Sequence, residues 1–353
     1  MIDWLTLVIP MKHPVINSGH FIELTPDGDL VREFAKVRTV KGSFSSSISL
    51  KTNIVSPCQK YGEQLYISGN PSKFLQGHNC FGSNDIQSLA LGMVEQALAL
   101  LDFELNDFSR QTILNGNYTV KRIDITEMFE LPNAADVDAW IYAMSNSSKS
   151  RHGLPELTNR TLYFGKNSRR YATKMYSKFR ELTTGKKEHA LPQELLNSGI
   201  LDWTINKVRI EHVLRAQELK KIAQDRCNKD FLQGKDLTPT VIEQLFNEYV
   251  GRIDMSGQIT ATDEKLQQLP SGVYGTYQLW KQGLDIRSVV SRATMFRHRK
   301  TIKDTLNIDI FLPPKQAKTN VIPLLRPLEA KPAQVPAELL TYQYDGEKQY
   351  ATG

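Results

Sequence analysis

The sequence switches between two hydrophobic periods, and this switching limits the class of fold that it can form. Segments with apolar residues at every second position, such as 43–50 and 118–131, indicate strands with one buried face. Segments with apolar residues three and four positions apart, such as 86–101 and 239–250, indicate amphipathic helices. The two kinds of segment do not alternate strictly as βαβ units, so they predict an α+β fold with an antiparallel or mixed sheet.

The same patterns divide the chain into four regions. We predict a β-rich amino-terminal region with one helix, a catalytic sheet region, a helical basic module and a proline-rich tail, with the bounds 1–115, 116–235, 236–310 and 311–353. The tail holds six of the chain's 16 prolines and few patterned apolar segments. It is therefore predicted to be extended and partly disordered.

Composition excludes several classes of protein. The 353 residues are 40% hydrophobic, which is enough to bury a core, yet no stretch approaches the ~18 apolar residues of a membrane-spanning helix. Cys58, Cys80 and Cys227 lie far apart, which excludes a disulfide scaffold or a cysteine-rich zinc site and indicates a reducing compartment. Asp3 stands where a secretory signal would be basic, so the amino terminus is interpreted as a retained first strand.

Polar side chains recur at alternate positions in three predicted strands. Alternation places them on one face of each strand, with apolar residues on the other face. If the strands are neighbours, these faces form a cluster of two carboxylates, a tyrosine and several cations. The side chains are Arg122, Asp124 and Thr126 in the first strand, Lys174, Tyr176 and Lys178 in the second, and Arg209 and Glu211 in the third.

Such a cluster suits phosphodiester transfer. Carboxylates are the hard oxygen ligands that hold Mg²⁺ or Mn²⁺, and the ion polarises a scissile phosphate. A tyrosine hydroxyl can attack as a covalent nucleophile, with a nearby lysine lowering its pKa or contacting the phosphoryl oxygens. The same spacing is also typical of a solvated sheet face with a surface ion pair and an exposed tyrosine. The spacing does not decide between these interpretations.

At these residues the chain resembles the gene II replication-initiation proteins of filamentous bacteriophages, and the likeness extends over most of the chain in order. The resemblance implies a rolling-circle initiator with a Rep-like nuclease core. Such a protein binds the phage origin, nicks one strand of supercoiled DNA through a 5′-phosphotyrosine intermediate and rejoins the displaced strand into a circle. The segments that carry the resemblance are Met1–Leu5, Pro71–Gly82, Arg122–Thr126, Tyr176–Lys178 with Glu181, Val208–Glu211 and Asn320–Leu324.

The resemblance also implies roles for residues of the polar cluster. Tyr176 is the expected nucleophile, Asp124 and Glu211 are the expected ligands of Mg²⁺ or Mn²⁺, and Lys178 is the expected phosphate contact or proton-transfer helper. On the same strands, Arg122 and Arg209 are predicted to contact DNA.

The histidines of this sequence differ from the metal-binding pattern of many rolling-circle nucleases. Many rolling-circle nucleases bind their ion with a His-hydrophobic-His pair, and this sequence contains no such pair. His212 follows Glu211 and is expected on the opposite face of its strand. His78 is either a distant ligand or a loop imidazole that hydrogen-bonds backbone, and the second interpretation is favoured.

Positive charge is concentrated near the carboxyl terminus. Seven basic and three acidic residues leave segment 270–310 with four of the chain's formal net charge of +6. Two short helices, at 285–290 and from Ser291 as N-cap to Thr305, predict a helix-turn-helix-like module that contacts DNA, although a solvated cationic helix would have the same composition. The predicted DNA contacts are Arg287, Arg292, Arg297, Arg299, Lys300 and Lys303.

Partners follow from the resemblance. The expected partners are origin DNA, double- and single-stranded, and a host helicase and polymerase in the host bacterial cytoplasm, without a membrane; the protein could form an oligomer on DNA. A host helicase is expected because segment 185–187 lacks the first glycine and the hydroxyl of a nucleotide-binding P-loop. Met255 resembles an internal start that yields a separate carboxyl-terminal protein. The alternatives are a DNA-binding replication or transcription regulator without nuclease activity, and a plasmid-type initiator or relaxase.

Overall fold

The structure is a computed structural model. It describes residues 1–253, 269–312 and 330–346, apart from 17–18, 43, 45, 56–57, 59, 152, 186–188, 282–283, 287–288 and 307.

Strands and helices both contribute to the fold. The strands are β1 (Ile2–His13), β2 (His20–Leu24), β3 (Leu30–Ala35), β4 (Arg38–Lys41), β5 (Ser47–Val55), β6 (Gly62–Gly69), β7 (Thr119–Glu130), β8 (Glu156–Thr158), β9 (Thr161–Phe164), β10 (Tyr171–Ser177), β11 (Lys207–Arg215) and β12 (Lys331–Pro332). The α-helices are α1 (Pro71–Gln76), α2 (Ile86–Ala99), α3 (Asp107–Leu114), α4 (Ala134–Ser147), α5 (Lys178–Thr184), α6 (Ile200–Trp203), α7 (Ala216–Cys227), α8 (Pro239–Gly251), α9 (Ser271–Lys281) and α10 (Arg292–Leu306). Short 3-10 helices lie at Gln193–Leu195, Gly234–Asp236 and Leu339–Tyr342.

One ten-stranded sheet dominates the described residues, in the order β4-β5-β6-β1-β7-β11-β10-β9-β8, and β12 pairs with the end of β7. Neighbouring strands of this sheet pair antiparallel. The predicted α+β fold with an antiparallel sheet is therefore confirmed. Because β1 lies between β6 and β7, strands of the first two predicted regions belong to the same sheet.

The main core lies under one face of this sheet. Alternate β1 residues such as Leu5 and Leu7 are fully buried there, together with the apolar stripe of α2. Asp85 is the N-cap of α2, and its side chain accepts from the backbone amides of Gln87 and Ser88. Thr238 caps α8, which packs in this main core although its residues were assigned to the predicted basic module.

A second, smaller core holds α9 and α10 together, with Val273, Tyr277 and Ile302 among its buried residues. Ser291 accepts from the amide of Thr294 and caps α10, as predicted. Part of the predicted helix at 285–290 lies outside the described residues. In the described part, the amides of Val289 and Val290 donate to the carbonyl of Ile286. The helix that packs on α10 is therefore α9, and no separate helix was predicted at its position.

Part of the tail is folded onto the core. Strand β12 pairs with β7, and Leu339 is buried in a third cluster beside Phe81 and Leu182. For 330–346 the prediction of an extended, partly disordered tail is wrong, because these residues bury apolar side chains and exchange backbone hydrogen bonds. Segments 313–329 and 347–353 lie outside the described residues.

Across the described ranges, every helix is too short or too polar to cross a bilayer.

Candidate active site

The three strands with polar faces are neighbours in the sheet. Strand β11 lies between β7 and β10, and its Glu211 is the register partner of Lys174 on one side and of Thr126 on the other. Tyr176 stands opposite Arg209. The juxtaposition expected from the sequence is thus present: Asp124, Tyr176 and Glu211 share one face of adjacent strands.

Tyr176 and Glu211 are in direct contact. The Tyr176 hydroxyl donates to Glu211 Oε2 at 3.3 Å, and Lys174 Nζ donates to Glu211 Oε1 at 2.6 Å. Tyr176 is only 8% exposed. Burial, reinforced by the negative charges of Glu181 and Glu211, raises the pKa of Tyr176 well above its ordinary value, although Arg209 opposes the shift. The hydroxyl is therefore neutral at physiological pH, and Glu211 is the carboxylate placed to accept its proton.

Asp124 is buried beside Arg122. The guanidinium of Arg122 donates to both carboxylate oxygens, at 2.8 and 2.6 Å. Burial raises the pKa of Asp124 to about 7, the charge of Glu211 adds to this effect, and Arg122 opposes it. Arg122 also lies 5.1 Å from the ring centroid of Trp4. Arg122 is therefore held beside Asp124 and Trp4 while its side chain stays partly exposed, and its contact with DNA stays a prediction.

The donor set can be tested against the expected metal. Asp124 and Glu211 supply two carboxylates on adjacent strands, and each carboxylate is balanced by a cationic side chain. No group of three or more His, Cys, Asp or Glu side chains able to hold a metal ion occurs among the described residues. Two carboxylates are a donor set that Mg²⁺ can use together with water and substrate oxygens, and the identity of the ion stays a prediction.

Arg209 lies beneath the site with no exposed surface. It donates to Asp3 Oδ1 at 2.9 Å, to Thr126 Oγ1 at 2.8 Å and to the Asn79 carbonyl. The prediction that Arg209 contacts DNA is therefore wrong for this arrangement, because its donors are used inside the protein. A buried guanidinium requires such partners to offset the loss of hydration.

The partners of Arg209 were not found by sequence reasoning. Asp3 accepts from Asn79 Nδ2 at 2.7 Å and from Asn70 Nδ2 at 2.9 Å. Burial alone would raise the pKa of Asp3, but the charges of Arg209 and Lys178 and these hydrogen bonds lower the pKa to about 2. The available signal was an acidic residue near the start of a mostly apolar first strand.

Lys178 is the first residue of α5 and not a strand residue, because Ser177 ends β10 and caps the helix. Its side chain is fully buried, and its ammonium donates to Asn79 Oδ1 at 2.8 Å and to Glu181. The predicted direct contact of Lys178 with phosphate does not match this burial. Lys178 is instead linked to Arg209 through Asn79.

Both candidate histidine ligands are engaged elsewhere. His78 is buried; its Nε2 lies 3.2 Å from the carbonyl of Tyr342, and its Nδ1 accepts from the amide of Cys80 at 3.3 Å. The interpretation of His78 as a backbone-bonding loop imidazole is confirmed. His212 lies on the opposite face of β11, as expected, where it contacts Thr173 Oγ1 at 2.9 Å.

His78 makes folding stability depend on pH. Burial lowers the pKa of His78 to about 4 in the folded protein, against an ordinary value of 6.5. Stability contributed by the neutral imidazole is fully present above pH 6.5 and should be lost as the pH falls to 4, up to roughly 3 kcal/mol in total. Urea unfolding from pH 4 to 7 should show that the free-energy difference between the parent and His78→Gln depends on pH. A pH-independent difference would contradict this assignment.

The predicted basic contacts of the carboxyl-terminal module fall into two groups. Arg292, Arg297, Lys300 and Lys303 are exposed on α10. Arg299 is instead paired with Asp309, through an Nε–Oδ1 hydrogen bond of 2.7 Å, and its guanidinium lies 4.2 Å from the ring centroid of Phe311. Its donors are therefore partly used inside the module. Arg287 lies outside the described residues.

Comparison with known proteins accounts for nearly the whole chain. The family model for the amino-terminal part of the phage gene II replication-associated protein matches residues 1–234, and the model for its carboxyl-terminal part matches residues 262–344. The corresponding replication-associated protein of Enterobacteria phage I2-2 is 43% identical over 339 residues, which cover 96% of this chain and 96% of that protein. This chain belongs to the family of filamentous phage gene II replication-associated proteins.

Proposed function

We propose that this protein initiates rolling-circle replication by nicking one strand of supercoiled phage DNA at its origin and later rejoining the displaced strand into a circle. The observation that carries the proposal is the contact of the Tyr176 hydroxyl with Glu211, next to Asp124, in a chain of the gene II replication-associated family. A tyrosine, two carboxylates and flanking cations are the groups that a phosphotyrosine step needs.

In the proposed nicking step, the hydroxyl oxygen of Tyr176 attacks the scissile phosphorus. The tyrosyl O–P bond forms, the P–O3′ bond breaks, and the DNA leaves with a free 3′ hydroxyl. The tyrosine proton passes to Glu211, whose Oε2 lies 3.3 Å away, and the leaving 3′ oxygen takes up a proton from solvent water. Attack by a 3′ hydroxyl on the phosphotyrosine reverses these changes, so rejoining requires no ATP.

Asp124 and Glu211 would hold Mg²⁺ or Mn²⁺, which when bound polarises the scissile phosphate and offsets charge in the transition state. Lys174 and Arg122 are the cations beside these carboxylates, and both are partly exposed. When Asp124 and Glu211 bind other groups, their ion pairs with Arg122 and Lys174 are released. The two cations then become free to contact phosphate oxygens. Arg209 and Lys178 act as positioning residues behind the site.

The exposed basic residues of α10 would contact origin DNA, in the manner of a helix-turn-helix or by gripping phosphates. A host helicase and polymerase would supply unwinding and synthesis in the bacterial cytoplasm. Assembly of several copies on the origin and use of Met255 as an internal start belong to the same proposal. Met255 lies outside the described residues.

Incubation with supercoiled origin plasmid and Mg²⁺ tests the proposal. Nicked or relaxed circles carrying covalently bound protein are expected. A regulator that only binds DNA would leave the plasmid supercoiled, and that result would refute the proposal. A plasmid with an unrelated replication origin is the matched control, because a plasmid-type initiator or relaxase would differ in which origin it cuts.

Phosphate contacts by α10 should make origin binding sensitive to salt. Replacing both Arg292 and Arg297 with glutamine should flatten the slope of log K against log salt concentration by about 1.8, since each lost contact contributes roughly 0.9. Titrations of a labelled origin duplex at several salt concentrations measure this slope. The control removes two exposed charges from α7, Lys220→Gln with Lys221→Gln, and should leave the slope unchanged. Equal slopes for all three proteins would exclude α10 from DNA binding.

A further inference from the structure

The sheet face that carries the candidate site continues beyond it as an open surface. Trp4 and Val8 lie on this face of β1, because alternating residues such as Leu7 are fully buried on the other face. Trp4 is the register partner of Asp124, and Val8 is the register partner of Tyr66 on β6. The four-residue step from Trp4 to Val8 covers about 13 Å. The surface thus leads directly away from the proposed scissile phosphate.

A cleft of about 670 Å³ lies along this surface, on β1, β5, β6 and β7. Among the described residues that line it there is no acidic side chain. The lining includes two cations and four amides that can hydrogen-bond, which is the chemistry of a surface for a polyanion with polar bases. These residues are Lys51, Lys121, Asn53, Gln64, Asn117 and Gln233.

Two aromatic rings on this face, Tyr66 and Trp4, each lie beside a cation. Lys51 Nζ lies 5.1 Å from the ring centroid of Tyr66, and the guanidinium of Arg122 lies 5.1 Å from that of Trp4. Both rings are partly exposed. Partly exposed rings beside cations are the arrangement with which proteins bind single-stranded nucleic acid, since a base stacks on the ring and the cation meets the phosphate. In a duplex the base faces are already stacked, so the arrangement suits an unpaired strand.

We propose that this surface, the β1–β6 track (Trp4, Lys51, Tyr66 and Lys121), binds the unpaired DNA strand adjacent to the scissile phosphate. Tyr66 would stack a base, while Lys51 and Lys121 would contact the backbone. The inference rests on the proposed function, because the strand in the track is the one that Tyr176 cuts. It goes beyond that function by separating a site for unpaired DNA on the sheet from the duplex contacts assigned to α10.

The test measures binding with full-length protein in a Tyr176→Phe background, so that no cleavage occurs. The probes are a labelled single-stranded oligonucleotide containing the origin sequence around the nick, and the same sequence as a duplex. Tyr66→Ala should weaken single-strand binding roughly 5- to 100-fold, the usual effect of removing one stacking ring, and should leave duplex binding within about twofold. Tyr66→Phe keeps the ring and should bind like the parent.

Lys51→Gln is an independent variant that keeps the test decisive if Tyr66→Ala fails to fold. It should lower the salt slope of single-strand binding by about 0.7. A folded Tyr66→Ala protein that binds the single strand like the parent, an equal loss for strand and duplex, or an unchanged slope in Lys51→Gln would each overturn the proposal. Because the readout is binding, a protein that never nicks its plasmid leaves this test intact, so the two proposals fail separately.

Discussion

Replacing Tyr176 with phenylalanine should abolish nicking of supercoiled origin DNA and formation of the covalent protein–DNA adduct. The substitution removes the one oxygen that can form the phosphotyrosine bond and keeps the ring in its buried position on β10. Among the described residues the hydroxyl makes a single hydrogen bond, to Glu211 at 3.3 Å, so the fold and the affinity for origin DNA should change little. Plasmid relaxation and denaturing gels of labelled DNA measure the two losses.

The matched control for Tyr176→Phe is Tyr163→Phe. Tyr163 lies on β9 as the register partner of Lys174, so this control removes one phenolic oxygen from the neighbouring strand without touching Glu211. It should nick like the parent. If Tyr176→Phe still forms an adduct, the nucleophile is misassigned, and mapping the peptide that carries the 5′ nucleotide would identify whether Tyr163 or Tyr171 takes its place.

Removing the carboxylate of Asp3 should destabilise the folded protein by about 3–5 kcal/mol, because Asp3→Ala leaves the Arg209 guanidinium buried without its counter-charge. The pair joins residues 206 positions apart in the chain, and Arg209 has no exposed surface. Asp3 also accepts from Asn70 and Asn79, so the change loosens the loop behind the site. Urea unfolding measures the free-energy difference.

Two further variants separate this effect from general sensitivity to mutation. Asp3→Ala combined with Arg209→Met removes both charges and should recover part of the loss, since no unpaired charge stays buried. Glu156→Gln breaks an exposed pair with Lys166 and should leave the unfolding free energy nearly unchanged. If Asp3→Ala lowers the free energy of unfolding by less than about 1 kcal/mol, the Arg209 guanidinium is hydrated or forms new pairs with other groups.

Local patterns predicted the elements of the site correctly wherever the chain stayed regular. The period-two runs around Asp124 and Glu211 became β7 and β11, and the run around Tyr176 became β10. The opposite orientations of Glu211 and His212 also followed from alternation alone. Whether Tyr176 acts as the nucleophile, and which ion the carboxylates hold, stay predictions.

Prediction failed where regularity ended or where a distant partner decided the outcome. Lys178 was placed on the face of β10 by alternation, but Ser177 ends the strand and starts a helix, so the period changes there. Arg209 was predicted to contact DNA from its place on a polar strand face, and Arg299 from its place in a run of basic residues. Their actual partners are Asp3, far along the chain, and Asp309, across a turn, and neither pairing is visible in local sequence.

Hydrophobic spacing alone was sufficient to determine which segments are strands, which are helices and which side of each strand is polar, since these are properties of a few consecutive residues. Only the tertiary structure decided which polar groups meet. The neighbour order of β1, β7, β11 and β10 buries Asp3 against Arg209 and brings Tyr176 to Glu211, and residues 330–346 fold back to hold His78. The physical reason is that burial and charge pairing depend on contacts between residues remote in sequence, where one buried charge requires a partner that no local pattern specifies.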